Sequence, residues 1–192
     1  EGIFVWSQAP VYHRDVQLRT AAGRERELAT VRRTVLEARR HPSVITHSVA
    51  NELSPRPDEN ATTKAFLDAA REMAGALDPT VPASVDVLGW PGFQRQRTYA
   101  AFELIGVNSY FGWYEGDPQH YTVRLADLEP FLRTLHAQYP RSALVMTEFG
   151  AESTMDGPAD VKETYAFQAQ YLKTNLELVR RLPFLSGAIY WT

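Results

Sequence analysis

The chain reads as an α/β protein built from repeated strand–helix units. Three observations point there. Short apolar runs alternate with longer amphipathic stretches along all 192 residues. Strand starts recur roughly every 25–40 residues, the size of one βα unit. The runs lack in/out alternation, so they read as strands buried on both faces, as parallel strands are.

The elements follow in order. Gly2–Trp6 is an apolar strand, and Ser7-Gln-Ala-Pro10 a loop. From Gly23 to Arg40 the period becomes helical, with Leu28, Val31, Val35 and Leu36 as the apolar stripe, and His41-Pro42 ends it. Val44–Ala50 is a β-branched strand that ends on Asn51-Glu52. A helix over 61–77 carries Phe66, Leu67, Ala70, Met73, Ala74 and Leu77. Val81–Val87 is a strand interrupted by Pro82, and 104–108 another, leading to Ser109-Tyr110 and the aromatic loop Phe111-Gly-Trp113-Tyr114. A helix over 125–139 carries Leu128, Phe131, Leu132 and Leu135. Leu144–Thr147 is a strand ending on Glu148. A long helix is expected from Pro158, as a first-turn proline, to Leu182, with Val161, Tyr165, Leu172, Leu176 and Val179 inward. Gly187–Trp191 is the last strand.

Composition bounds the function. Hydrophobic residues make up 44% and charged residues 22%, as in a globular protein with a sizeable core. The net charge of -3 shows no basic excess, which argues against nucleic acid as a partner. No apolar run nears 20 residues, so no membrane-spanning helix is expected. Cysteine is absent, which removes disulfides and thiolate metal sites. His13, His41, His120 and His136 show no metal-ligand spacing, and His47, inside an apolar strand, reads as a hydrogen-bonded core residue.

The polar residues choose the architecture. A doubly wound sheet and a (β/α)8 barrel both fit the alternation. No glycine-rich phosphate loop follows any strand. Instead Asn51, Glu52, Asn108, Tyr110, Glu148 and Trp191 each sit at the C-terminal end of a strand, which is how barrels assemble a site. Glu52 and Glu148 are then two carboxyl groups at two strand ends, the pair that glycosidic bond cleavage needs. Taken singly, each could be the start of a solvated loop. Together with an adjacent amide and aromatic faces that stack on pyranose rings, they make one consistent sugar site.

At these positions the chain resembles glycoside hydrolase family 2, which includes β-glucuronidases, β-galactosidases and β-mannosidases. His41-Pro-Ser-Val-Ile-Thr-His-Ser-Val-Ala-Asn51-Glu52 is similar to its acid/base motif, and Met146-Thr-Glu148-Phe-Gly-Ala-Glu152 to its nucleophile motif. Val107-Asn-Ser-Tyr110-Phe-Gly-Trp113-Tyr114 resembles the sixth-strand segment, Gly187-Ala-Ile-Tyr-Trp191 the eighth and Gly2–Pro10 the third. The resemblance implies a partial (β/α)8 TIM barrel with about strands 3–8 in this chain. It implies a retaining exo-β-glycosidase, β-glucuronidase- or β-galactosidase-like, acting on a carbohydrate β-glycoside. Glu52 would be the general acid/base and Glu148 the nucleophile. Asn51 would hold the 2-hydroxyl, Tyr110 would hydrogen-bond the nucleophile, Trp191 would floor the cleaved sugar's subsite, and Trp113 would line the site. The chemistry asks for no metal or other cofactor.

The chain departs from the pattern at Ser7-Gln8, where many relatives carry two acids, at His47, where many carry Trp, and at Trp191-Thr192, where glucuronidases usually show Trp-Asn. A catalytically silent, carbohydrate-binding barrel segment is the alternative reading. The chain opens and closes inside apolar strands, which reads as one catalytic-barrel segment over 1–192 cut from a longer multidomain chain. Six strands are expected where a closed barrel needs eight and about 250 residues. Contacts with further N-terminal domains or another chain are expected to cover the open edges, and the segment alone is expected to be inactive.

Overall fold

The computed structural model describes residues 2–13, 15–114 and 124–191; His120 and Thr192 lie outside them. The apolar runs do form strands. These are β1 (Val5–Gln8), β2 (Val44–Asn51), β3 (Ala83–Leu88), β4 (Leu104–Asn108) and β5 (Ala143–Phe149). A short pair, β6 (Ser153–Met155) and β7 (Glu163–Thr164), comes next, and β8 (Leu185–Tyr190) ends the chain. Between them lie α1 (Asp15–Leu18), α2 (Ala21–Ala38), α3 (Ala61–Leu77), α4 (Leu128–Gln138) and α5 (Tyr165–Arg181). Six strands form one sheet in the order β1-β2-β3-β4-β5-β8. The ladders β1–β2, β2–β3 and β5–β8 are parallel. No helix of the described residues is long and apolar enough to cross a membrane.

The chain divides into two compact units, Glu1–Val87 with Gln94–Ile105, and Leu88–Phe93 with Gly106–Thr192. In the first, β2 is central. Its buried run Thr46–Ala50 pairs with β1 on one side and β3 on the other. Helix α2 starts where the Thr20 hydroxyl accepts the Gly23 N–H at 3.0 Å. Helix α3 starts where Asn60 does the same for Thr63 at 3.2 Å. Phe66, Leu67, Ala70 and Ala74 are buried, as the periodicity predicts. On α2 the buried line is Gly23, Glu27, Val31 and Val35, so Leu28 and Leu36 are only half-buried.

In the second unit, α4 buries all four expected residues, Leu128, Phe131, Leu132 and Leu135. Helix α5 differs from expectation at both its start and its face. It begins at Tyr165 and not at Pro158. The Thr164 hydroxyl donates to the Pro158 and Val161 carbonyls and accepts the Phe167 N–H. That hydroxyl closes 158–164 into a turn and caps the helix behind it. The buried face is Tyr171, Asn175 and Leu178, with Val161 and Tyr165 exposed. A buried Asn hides that face from a hydrophobic count. Its Nδ2 donates to the Tyr171 carbonyl at 2.9 Å.

Strand ends also shift. β1 is Val5–Gln8, so Ser7 and Gln8 belong to the strand, while Ile3 and Phe4 precede it and are 71% and 76% exposed. Pairing decides this: Val5 N–H reaches the Ser43 carbonyl at 2.8 Å, and Ala9 N–H reaches Ser48 at 2.9 Å. β3 begins after Pro82, whose carbonyl accepts the Thr46 hydroxyl and the His47 N–H. A proline that lacks a donor still serves the ladder as an acceptor. β8 is Leu185–Tyr190, and Trp191 follows it.

His47 is a hydrogen-bonded core residue. It is 2% exposed, and its Nε2 lies 2.9 Å from Asp78 Oδ2 at the C-cap of α3. Burial works against the Asp78 charge. The Thr80 hydroxyl, His47 and the Thr80 N–H outweigh it and hold the carboxyl below its ordinary 3.8. A depressed carboxyl stabilises the fold above its unfolded pKa and ceases to as pH falls through the folded one. Asp78→Asn is therefore expected to cost about 1–3 kcal/mol at pH 7. In thermal unfolding of the full-length protein, the gap from wild type should narrow as pH drops below 3.8.

Candidate active site

In the first unit the site residues gather where β2 ends. Asn51 is half-buried, and its N–H donates to the Val11 carbonyl at 2.8 Å. Its Cα pairs with that of Asp86 across the ladder. Glu52 then leaves the extended conformation with φ +49°. A left-handed non-glycine costs about 1–2 kcal/mol and persists only where its surroundings impose it. The imposing contact is its own N–H, donated to the Asp86 carbonyl at 2.9 Å. The Glu52 side chain is 12% exposed, and its Oε2 lies 3.1 Å from Nε2 of His13, which also has φ +49°.

Beneath these residues is a carboxyl group that sequence reasoning missed. Asp86 is 0% exposed. Its Oδ2 accepts from Trp6 Nε1 at 3.2 Å, from Ser48 Oγ at 2.8 Å and from Gln8 Nε2. Gln8 Nε2 also approaches Asn51 Oδ1 at 3.5 Å. One signal was available: a charged residue inside an otherwise apolar run, Ser84-Val-Asp-Val-Leu88, needs partners on neighbouring strands.

In the second unit the residues gather at the ends of β4 and β5. Tyr110 Oη donates to Glu148 Oε2 at 2.7 Å. The Ser109 N–H donates to the Glu148 carbonyl at 2.8 Å, and Thr147 Oγ1 to Asn108 Oδ1 at 2.8 Å. The Tyr114 ring lies 5.1 Å from that of Tyr110 and 6.1 Å from that of Trp113. Trp113 is 9% exposed and packs on Phe167 at 5.9 Å. Lys162 Nζ donates to the Trp113 carbonyl at 2.6 Å. The more open ring of this loop is Tyr114, 50% exposed.

Trp191 is 58% exposed, and its N–H donates to the Phe149 carbonyl at 2.9 Å. Gly150 permits this approach: a Cβ there would stand 1.5 Å from the Trp191 carbonyl oxygen.

Residues 12–177 match the sequence profile of glycosyl hydrolases family 2, TIM barrel domain. The chain belongs to this family. Within family 2 it is 29% identical over 153 residues to a β-glucuronidase of Paenibacillus borealis, covering 79% of this chain and 24% of that protein. It is 26% identical over 176 residues to the β-glucuronidase of Sus scrofa, covering 88% and 26%. The chain thus spans about a quarter of the length of the curated relatives it matches. A β-glucuronidase of Ruminococcus gnavus, solved with uronic deoxynojirimycin, superposes over 100% of this chain and 34% of its own. The TM-score is 0.81 at 20% identity. The β-D-glucuronidase of Dictyoglomus thermophilum matches over 90% of this chain and 29% of its own, with TM-score 0.75 at 26% identity. The fold is therefore part of a (β/α)8 barrel.

The Gly150 contact is open to test. Gly150→Ala is expected to push Trp191 off Phe149 and to destabilise the fold by about 1–3 kcal/mol, the usual cost of overpacking. Thermal unfolding and a crystal structure of the variant check both effects.

Proposed function

We propose that the chain is the catalytic segment of a retaining exo-β-glycosidase, and that its first substrate class is β-glucuronides. The observation that carries the reading is the tyrosine–carboxylate contact at the end of β5, Tyr110 on Glu148, in a chain where Asn51 ends β2 and Glu52 follows it. The preference for glucuronides rests on the relatives, which bear that name at 26–29% identity.

In this mechanism Glu52 protonates the glycosidic oxygen while Glu148 attacks the anomeric carbon. A covalent glycosyl-enzyme forms and the aglycone leaves. Glu52, now a carboxylate, takes a proton from water, whose oxygen displaces Glu148. Tyr110 donates to Glu148 and fixes which oxygen faces the sugar. Asn51 holds the 2-hydroxyl, a contact that strengthens toward the transition state. Trp191 offers an exposed ring as the sugar's floor, and Trp113 with Tyr114 lines the rim. Further domains, or another chain, complete the barrel around residues 1–192.

Two measurements on the full-length protein test this. The first is a panel of nitrophenyl β-glycosides, in which the glucuronide should be cleaved best. The second is azide rescue. Glu148→Ala should abolish turnover and regain it with azide as the α-glycosyl azide, whereas Glu52→Ala should give the β-azide from an activated substrate. Glu52→Ala turning over an unactivated substrate at near wild-type rate would remove the acid assignment. A crystal structure of that protein should show the two carboxyl groups roughly 5–5.5 Å apart; about 8 Å or more would indicate inversion. Residues 1–192 expressed alone should show no hydrolysis.

A further inference from the structure

Asp86 has no part in the mechanism above, yet it is the most buried carboxyl group near the end of β2. Three donors converge on its Oδ2, and they come from two neighbouring strands: Trp6 and Gln8 of β1 and Ser48 of β2. A buried carboxyl is costly unless such donors satisfy it. A core that needed only adhesion would be served as well by an apolar residue of similar volume. What the carboxyl adds is direction. It orients the Gln8 amide, whose Nε2 reaches Asn51 Oδ1, and Gln8 is itself exposed. It also sits on the residue that pairs with Asn51 in the ladder and accepts the Glu52 N–H.

We propose that Asp86 is a positioning residue for substrate recognition: through Gln8 it holds the Asn51 side chain in the orientation that receives the substrate's 2-hydroxyl. The proposal rests on the glycosidase reading above, in which Asn51 contacts that hydroxyl. Asp86 never touches the sugar. Its effect is confined to what Asn51 does, and Asn51 acts chiefly in the transition state. Loss of Asp86 therefore lowers kcat more than it raises KM.

The test uses the full-length protein and two substrates: the nitrophenyl β-glycoside it cleaves best, and the 2-deoxy counterpart. The readout is the ratio of their kcat/KM values. Asp86→Asn is expected to narrow this ratio about three- to tenfold, the worth of one hydrogen bond, because the 2-deoxy substrate has no hydroxyl to lose. Gln8→Ala, at an exposed position, should narrow it comparably even if Asp86→Asn folds poorly. Asp78→Asn, which disturbs a buried carboxyl of the same unit away from Asn51, should leave the ratio at its wild-type value. Equal losses on both substrates in Asp86→Asn, or an unchanged ratio in Gln8→Ala, would overturn the positioning role and leave the glycosidase reading standing. A wild-type protein that cleaves no nitrophenyl β-glycoside would overturn that reading, and this role with it.

Discussion

The hydrogen bond from the Glu52 N–H to the Asp86 carbonyl governs what the first unit can present. It is the last rung between β2 and β3, and it falls on a residue with φ +49°. At that backbone angle the side chain leaves the strand in a direction no extended residue could reach. The strain of about 1–2 kcal/mol is comparable with the net worth of one hydrogen bond, so the rung depends on the strand being held elsewhere too. β2 is clamped on both sides, by Asn51 N–H to Val11 at 2.8 Å and by the buried ladder behind it. If β2 slipped by one residue, every side chain along it would change face, and Asn51 and Glu52 would exchange directions.

The second unit aims its carboxyl group differently. Glu148 lies within β5, and its carboxyl accepts directly from the Tyr110 phenol. Two residues later, the missing Cβ of Gly150 leaves room for the Trp191 carbonyl. One glutamate is therefore oriented by its main chain and the other by a side-chain donor.

Elements whose signal is periodic were legible in the sequence. Helix α4 and its four buried residues, and the bounds of α3, follow from the 3.6-residue repeat. Where structure departs from expectation, a polar atom made the choice. The Thr164 hydroxyl delays α5 by seven residues relative to Pro158, and Asn175 turns its inner face. The bounds of β1 are set by carbonyls of residues 43 and 48, far along the chain. Glu52 and Glu148 stand out in the sequence as candidates because acids at the ends of apolar strands are chemically conspicuous. Asp86 does not, because its meaning lies in Trp6, Gln8 and Ser48, none of which is its neighbour in sequence.

β2 and β3 divide their two faces between structure and chemistry. Successive residues of a strand point to opposite sides. Thr46 meets Ser84 at 2.8 Å and Ser48 meets Asp86 at 2.8 Å, two polar rungs two residues apart and therefore on one face. His47, between them, points the other way and meets Asp78 at the end of α3. The His47–Asp78 pair joins strand to helix and bears on stability, with a pH dependence set by the depressed Asp78 carboxyl. The Thr46–Ser84 and Ser48–Asp86 rungs carry polarity up the strands toward Asn51 and Glu52. Both contacts run diagonally across the ladder, since the Cα partner of Ser48 is Ser84 and that of Asp86 is Asn51. The site at the strand end is thus the last step of a polar column that begins inside the core, and its geometry is inherited from the register below it.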